Sequence, residues 1–533
     1  MPVGAAAGRA EAQAVLCVRV RSGRLPPARV RRLVAVAGVV ALVALPAANG
    51  GGTSAARGQA DASAWLFDPL RVNAIELEAS PAALASLRSE PRSYVDAQVT
   101  LHDGGTTYGP YAVGLRLRGH TSFRDLDGKP AFKVKLGDAA GRELAGLKSL
   151  TLNNMVQDPS MLAEAMSARV LTAIGVPTPR VGYAYVRLNG DDYGLYANVE
   201  TIDKVMAKRW FGSTQHIYEA NYGADVVEGA VDRFDVSTGS AKDVSDLEAL
   251  VRAASGDGAG WAERMKPVAD LAELARAFAA EHYIGQWDGY SYGSTQSQPN
   301  NYDLESDDGG RFSLIVTGTD QTWLEGENFG LTGNGVLFRE CLASAECQAL
   351  YVEALRKLAS SRDVRELAAT ARAVREAIAP WRRRDPRREQ SAAEGEAQAE
   401  AKIAFMASRP GQLDAWLGKG SSPGPAALAA PPAAGPRLGK PAASPAAPVA
   451  GRRFGVSLAA TRSDTGAPLR TGKVACRSSA GVSPVATSCS LAKGRVRLSL
   501  TVPKAARGTL LRVRVEVTAA RGTGLGIYTF RIR

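Results

Sequence analysis

Past its first sixty residues the chain alternates apolar and polar positions in short blocks. In "VNAIELE", Ile75 and Leu77 stand between Glu76 and Glu78, the two-residue period of a strand. "SPAALASLRSEP" reads as a short helix, with Ser80 and Pro81 at its start. "YVDAQVTL" is a second strand, and "GPYAVGLRLRG" a third with Val113, Leu115 and Leu117 on one face. In the fourth, "AFKVKL", Phe132, Val134 and Leu136 take one face while Lys133 and Lys135 take the other. The period then changes. "MLAEAMSARVLTAIG" carries Met161, Leu162, Ala165, Val170 and Ile174 as a helical stripe, with Gly175 as C-cap. "RVGYAYVRLNGDDYGLYANVET" predicts a hairpin turning at Asn189-Gly190, and "IDKVMAKRWFG" a helix ending at Gly212.

Residues 240–290 read as mostly helical. "NNYDLES" and "RFSLIVTGTD" read as two strands joined by "DDGG", and helices resume from about 340 to 415. Ile403, Phe405, Met406 and Leu413 pack the last of them back on the body. Strands and helices interleaved in this way predict an α+β body over 66–418, around an antiparallel or mixed sheet. Residues 419–450 form a Pro/Ala-rich linker that cannot build a core. From 451 to 533 five short strand patterns separated by Gly, Pro and Ser predict a small all-β sandwich.

The N-terminus has a different pattern. Arg31 and Arg32 precede an apolar run from Leu33 to Leu45, followed by "PAANGGGTSAARG". The run is short for a membrane span and fits a secretory signal; an uncleaved anchor or a buried apolar segment is the alternative. Residues 1–50 are assigned to this signal region and 51–65 to a flexible segment. Cys17 would be lost with the signal. The remaining Cys341, Cys347, Cys476 and Cys489 allow three pairings, of which the local ones, Cys341–Cys347 and Cys476–Cys489, are simplest. Disulfides suit an exported protein. Cysteine spacing without CxxC, and only 4 histidines, argue against zinc. A net charge of +12 permits nucleic acid, an anionic surface or an acidic substrate. The arginines are scattered without a compact basic–aromatic block, so no nucleic-acid partner is expected.

Candidate chemistry concentrates in "GQWDGYSYGSTQSQPNNYDLESDDGGRFSLIVTGTDQTW". Asp288, Asn301 and Asp320 lie at element ends, where a scaffold can hold ligands rigidly. Two acids and an amide offer hard oxygen donors suited to Mg²⁺ or Mn²⁺. Phosphoryl transfer needs such an ion, a lysine on the phosphates and an acid beside the nucleophile. Lys133 or Lys135 can supply the lysine, and Glu200 can pair with it. The plain alternatives are a turn at Asp288-Gly289 and a helix cap at Asp320. There is no GxxxxGK[ST] loop, and neither "HRD" nor "DFG" occurs. "GYSYG" matches GxSxG, but Ser291 follows a helix and enters a loop, the reverse of a nucleophile elbow.

Four blocks in this order resemble the CotH kinase family, the spore-coat CotH-like atypical protein kinases. They are "YAVGLRLRGHTSF" with "KPAFKVKL"; "LTLNNMVQDPSMLAEAMSARVLTAIGVPTPR"; "VRLNGDDYGLYANVETIDKVMAKRWFG"; and "WDGYS…NNYDL…GTDQTW", together spanning about 66–415. The resemblance implies a kinase-like fold, with ATP and Mg²⁺ or Mn²⁺ as cofactors and phosphate transfer to a protein hydroxyl, serine in some members. By it, Asp288 looks like the catalytic acid, Asp320 like the metal-binding acid, and Asn301 like its neighbour. Lys135, with Lys133 as the second choice, looks like the phosphate-binding lysine and Glu200 like its partner. Two departures stand out. The family's acidic D-x-D pair is Gly318-Thr319-Asp320 here, one carboxylate short. Where the family has an aromatic after "NNY", this chain has Asp303, which either compensates or faces solvent. The terminal sandwich resembles immunoglobulin-like domains of exported bacterial proteins. Expected partners are a protein substrate or an envelope component, with no stable transmembrane span after signal removal. The expected location is secreted or at the cell envelope. A non-catalytic envelope or spore-coat protein is the competing account, and a glycosidase with two carboxylates a third.

Overall fold

The structure is a computed structural model that describes residues 61–255, 260–291, 299–324, 333, 335–418, 436–439, 441–462, 467–480, 483–519 and 522–533. The signal region and residues 51–60 lie outside these residues, but residues 61–65, expected to be flexible, are part of the fold: Ser63 is buried, a 3-10 turn starts at Ala64, and Asp61 pairs with Arg180. Seven strands close into a barrel: β1 (Val72–Ala79), β2 (Val95–Asp103), β3 (Thr106–Arg118), β4 (Ala131–Leu136), β5 (Ser149–Asn153), β6 (Val181–Leu188) and β7 (Asp191–Glu200). Their order is β1-β2-β3-β4-β5-β7-β6. All neighbours are antiparallel except β1 and β6, so the sheet is mixed. Closure leaves no edge strand. Ile75, Val99, Leu115, Leu117, Phe132, Val134 and Leu152 fill the interior and are almost fully buried. The β6–β7 hairpin turns on Asn189 and Gly190, both at positive φ (52° and 83°), the conformation Asn-Gly tolerates best.

Below the barrel lies a mainly helical body with its own core. Its central helix, Leu271–Ile284, is buried on nearly every face, and its N-cap Asp270 accepts from the backbone N–H groups of Ala272 and Glu273. The body also holds a four-stranded sheet in the order β11-β10-β8-β9. Its strands are β8 (His216–Ala220), β9 (Phe234–Thr238), β10 (Tyr302–Ser306) and β11 (Phe312–Val316). The β10–β11 hairpin matches the sequence pattern. β8 and β9 were not legible: residues 221–233 separate them, whereas β10 and β11, equally short, flank the tight turn Asp307–Gly310 that marks a hairpin. The helix after the barrel, Lys204–Trp210, stops short of Gly212, with Phe211 already extended. Helices Val336–Ala343, Ala345–Ser360, Leu367–Arg384 and Ala392–Gly418 complete the body.

The chain re-enters sheet structure inside the stretch whose composition reads as linker. β12 (Arg437–Leu438) and β13 (Ala442–Ser444) both pair with β14 (Arg453–Thr461). The rest of the terminal unit is β15 (Lys473–Ala480), β16 (Ser483–Val485), β17 (Thr487–Ala492), β18 (Arg495–Thr501), β19 (Leu510–Ala519) and β20 (Gly522–Arg531). They form two antiparallel sheets sharing one core of Phe454, Val456, Leu458, Val513, Val515 and Val517. Both local disulfides are present. Cys476–Cys489 joins β15 to β17 across the two sheets, and Cys341–Cys347 closes a helix–helix corner. Glu389 of the body is gripped by Arg124 and by Arg531 of β20, which ties the terminal unit to the body.

Candidate functional site

The site is built where the outer face of β3–β5 looks onto the helical body. Strand register places Arg116 of β3 opposite Lys133 of β4, and Lys133 opposite Thr151 of β5. The Lys133 ammonium donates to the hydroxyls of Thr151 (3.0 Å) and Thr201 (2.7 Å). Burial first, and then the neighbouring Arg118, pull its pKa down to about 7. Lys135, two residues on along the same face, is exposed. Of the two lysines, therefore, Lys133 is the one enclosed by protein. Glu200 does not meet either one. Its buried carboxylate is held by Arg180 (2.8 Å) and by Arg209. Its neighbour Thr201 is the residue that reaches Lys133, so the turn out of β7 sends Glu200 away from β4.

Opposite this face stand four acids. Asp158 accepts from the Ala163 N–H at 2.8 Å and from the Ser160 hydroxyl at 2.6 Å, fixing the start of helix Ala163–Ile174. That helix presents Glu164, whose carboxylate accepts from the Asn153 amide at 2.9 Å. The loop holding Asp320 is clasped to the same helix. Ser167 bonds Thr322 at 2.9 Å, and the Trp323 indole donates to Ser167 at 3.0 Å. Burial, and then each other's charge for Glu164 and the charge of Asp158 for Asp320, hold both carboxyls above the usual range. Lys402 answers part of this acidity, 3.4 Å from Asp158.

Asp288 closes the floor. The side-chain amides of Asn300 and Asn301 each donate to its Oδ2 at 3.1 Å, and Asn301 also donates to its carbonyl at 2.9 Å. Burial raises its pKa to about 6 despite these donors. Its charge acts on Asp320, and Asn301, which holds it, packs against Gly318, two residues before Asp320. The preceding segment is clamped from behind. Fully buried Glu281 accepts from the Tyr290 and Ser291 N–H groups and from the Ser291 hydroxyl. Gln286 donates to the carbonyls of Thr317 (3.2 Å) and Gly318 (3.0 Å). Ser291 is thus a buried hydrogen-bond donor with no access for a nucleophile's role.

The structure brings together Asp288, Asn301 and Asp320; Lys133 stands on the barrel face beside Arg118, whose other neighbour in charge is Glu164, and Lys135 and Glu200 lie outside. Sequence reasoning missed Glu164, Asp158, Lys402 and Arg118. Arg118 is exposed, and the charges of Glu164 and Glu219 favour its ionised form. Gly318 also finds its reason. It sits at φ 58°, and a Cβ there would lie 2.4 Å from the Asn301 amide oxygen. The acid missing from that position has no room.

Among the described residues no group of three or more His, Cys, Asp or Glu is placed to hold a metal ion. The donors that are present, the two carboxylates of Glu164 and Asp320 with the Asn301 amide oxygen beside Gly318, suit Mg²⁺. That ion keeps several waters and takes one or two carboxylates plus a ligand's phosphates.

The model of the CotH kinase protein family matches residues 115–413, more than half of the chain, and the chain belongs to that family. It is similar to inner spore coat protein H of Bacillus subtilis (strain 168), 31% identical over 65 residues. That match covers 12% of this chain and only 18% of the relative's length. Two solved twitchin kinase structures from C. elegans also align. One, a fragment with autoregulated kinase and immunoglobulin domains, covers 83% of this chain and 91% of its own, at 10% identity and a TM-score of 0.14. The second covers 82% and 71%, at 9% identity and again 0.14. Superpositions this poor carry no argument.

Proposed function

We propose that the chain is an atypical kinase that moves the terminal phosphate of ATP to a protein hydroxyl, serine by the family resemblance, with Mg²⁺ or Mn²⁺. The observation that supports this most is Asp288, held by two asparagine amides, acting in charge on Asp320, with Glu164 beside Asp320 and Arg118 and Lys133 next along the barrel face. In this reading Asp320, Glu164 and Asn301 would hold the metal, which when bound would supply positive charge for the phosphates. Lys133 and Arg118 bind phosphate oxygens. Asp288 orients the acceptor hydroxyl and takes its proton as the new O–P bond forms and the bond to the leaving diphosphate breaks. With a pKa of about 6 it is ionised, and so competent as a base, at neutral pH.

The place of action in this reading is outside the cytoplasm, at a spore coat or cell envelope. The N-terminal apolar run, both disulfides and the relative's spore-coat name favour it. No described helix is long and apolar enough to cross a membrane. The two sheets of the terminal unit fit an immunoglobulin-like accessory module for docking. Gly318, one acid short of the family pattern, favours the second reading: a coat or envelope protein that keeps the fold without catalysis. Calorimetric titration with ATP and Mg²⁺ or Mn²⁺ separates the two. The kinase reading expects metal-dependent binding that Asp320→Asn weakens at least tenfold and Asp288→Ala leaves within about twofold. Wild-type protein that binds no nucleotide with either metal supports the structural reading.

A further inference from the structure

Asp303 is the chain's own departure from its family pattern, and its surroundings are unusual. On β10 its neighbours Tyr302 and Leu304 go into the helical core. Asp303 therefore faces the other way, onto the sheet face where register sets Glu219 of β8 on one side and Ile315 of β11 on the other. It is 6% exposed. No described residue donates a hydrogen bond to its carboxylate, and burial first, then Glu219, hold its carboxyl well above the usual range. Asp303 is therefore not on the solvent face, and register sets it beside Glu219 of β8. Its oxygens are still not sealed from solvent, so a ligand can reach them and supply the donors that the protein does not.

Its position says what the supplier is. β10 leads away from Asn301 and Asp288, and two residues of strand carry Asp303 about 7 Å from the metal and phosphate end. The charge of Glu219 acts on both Lys133 and Arg118, so this shelf lies under the same cationic roof. Further along the same face β10 carries Glu305, buried and with one oxygen that finds no partner among the described residues, beside Ile217 and Ile315 packed against Met206 and Ala207. A nucleoside triphosphate whose phosphates occupy the acidic end would extend its sugar and base along this line.

We propose that Asp303, with Glu219 beside it, recognises the nucleoside half of the nucleotide by accepting hydrogen bonds from its O–H or N–H donors. The donors are either the ribose hydroxyls or the imino and amino edge of a purine base. The inference rests on the phosphotransfer reading and adds to it a determinant of nucleotide choice.

Titrations in excess Mg²⁺ with ATP, 2′-deoxy-ATP, 3′-deoxy-ATP, GTP, ITP and inorganic tripolyphosphate test it, on wild type, Asp303→Asn and Asp303→Leu. Losing hydrogen bonds to a charged acceptor corresponds to roughly 10- to 100-fold in affinity. Wild type is expected to bind its preferred nucleotide at least tenfold tighter than the analogue lacking the recognised donor. A deoxy analogue that falls away identifies the ribose, and a spread among ATP, GTP and ITP identifies the base edge. Both variants should flatten that preference while binding tripolyphosphate as wild type does. Asp303→Asn keeps size and polarity, so it reports even where Asp303→Leu fails to fold. Nucleotide binding with the same preferences in wild type and the Asn variant overturns the inference alone. Wild type that binds neither nucleotide nor tripolyphosphate overturns the phosphotransfer reading as well.

Discussion

Replacing Asp288 by Asn should make the protein more stable and inactive at once. The carboxyl rises from an ordinary 3.8 to about 6 in the folded protein, chiefly through burial. Two units at about 1.4 kcal/mol each penalise the ionised form by about 3 kcal/mol. The side chain is only partly shielded, so solvent screening leaves roughly 1–2 kcal/mol. The sign follows from proton linkage. The folded state binds this proton more tightly than the unfolded chain, so the penalty is absent below about pH 4, grows up to about pH 6 and is constant above. An Asn at this position keeps an oxygen for the Asn300 and Asn301 amides and carries no charge. Urea unfolding of the body, followed by tryptophan fluorescence at pH 4.5, 6 and 8, should therefore show the variant gaining on wild type as pH rises. The gain should reach about 1 kcal/mol by pH 8, with phosphate transfer lost. Stability bought back by removing a functional group is the expected trade-off. A variant equally or less stable across that range would refute the burial argument, and one that still transfers phosphate would remove Asp288 from the chemistry.

Three other outcomes follow from the geometry. Lys133→Met should weaken nucleotide binding severalfold or more, whereas Lys135→Met, on the exposed side, should leave affinity unchanged and shift stability by less than about 0.5 kcal/mol; parallel titrations and melts compare them. Gly318→Asp should not restore a family-like acidic pair, because its Cβ meets Asn301 at 2.4 Å and its φ is 58°; a loss of about 1–3 kcal/mol and weaker metal binding are expected, read by unfolding and Mn²⁺ titration. Removing the Cys476–Cys489 bridge by double Ser replacement should cost the terminal unit about 2–4 kcal/mol while leaving nucleotide binding intact, because the bridge joins two sheets remote from the cleft.

Much of this architecture was legible where a period could run long enough to count. The long strands β3 and β7 and helix Ala163–Ile174 appear as read, and Asn189-Gly190 marked its turn. β8 and β9 escaped because no tight turn joins them, unlike β10 and β11, and β12 and β13 because their Pro/Ala-rich surroundings look unstructured. The site was half legible. Alternation put Lys133 and Lys135 on one face but could not say which one the helical body covers. Glu200 looked like a partner because the order of segments ranks residues by sequence, while the turn after β7 decides that Thr201 reaches the lysine. Glu164 sat unmarked in an amphipathic helix, where a lone acid on a polar face is ordinary. Only the clasp of Ser167, Thr322 and Trp323 brings it to Asp320.

The central claim is that this cleft transfers phosphate, and transfer from labelled ATP measures it most directly. Purified protein incubated with γ-labelled ATP and Mg²⁺ or Mn²⁺ should incorporate label on its own hydroxyls or on an added coat-protein acceptor. The label should vanish on chelation and in both Asp288→Ala and Asp320→Ala. A wild type that takes up no label with either metal, or an Asp288→Ala variant that labels as well as wild type, would contradict the account.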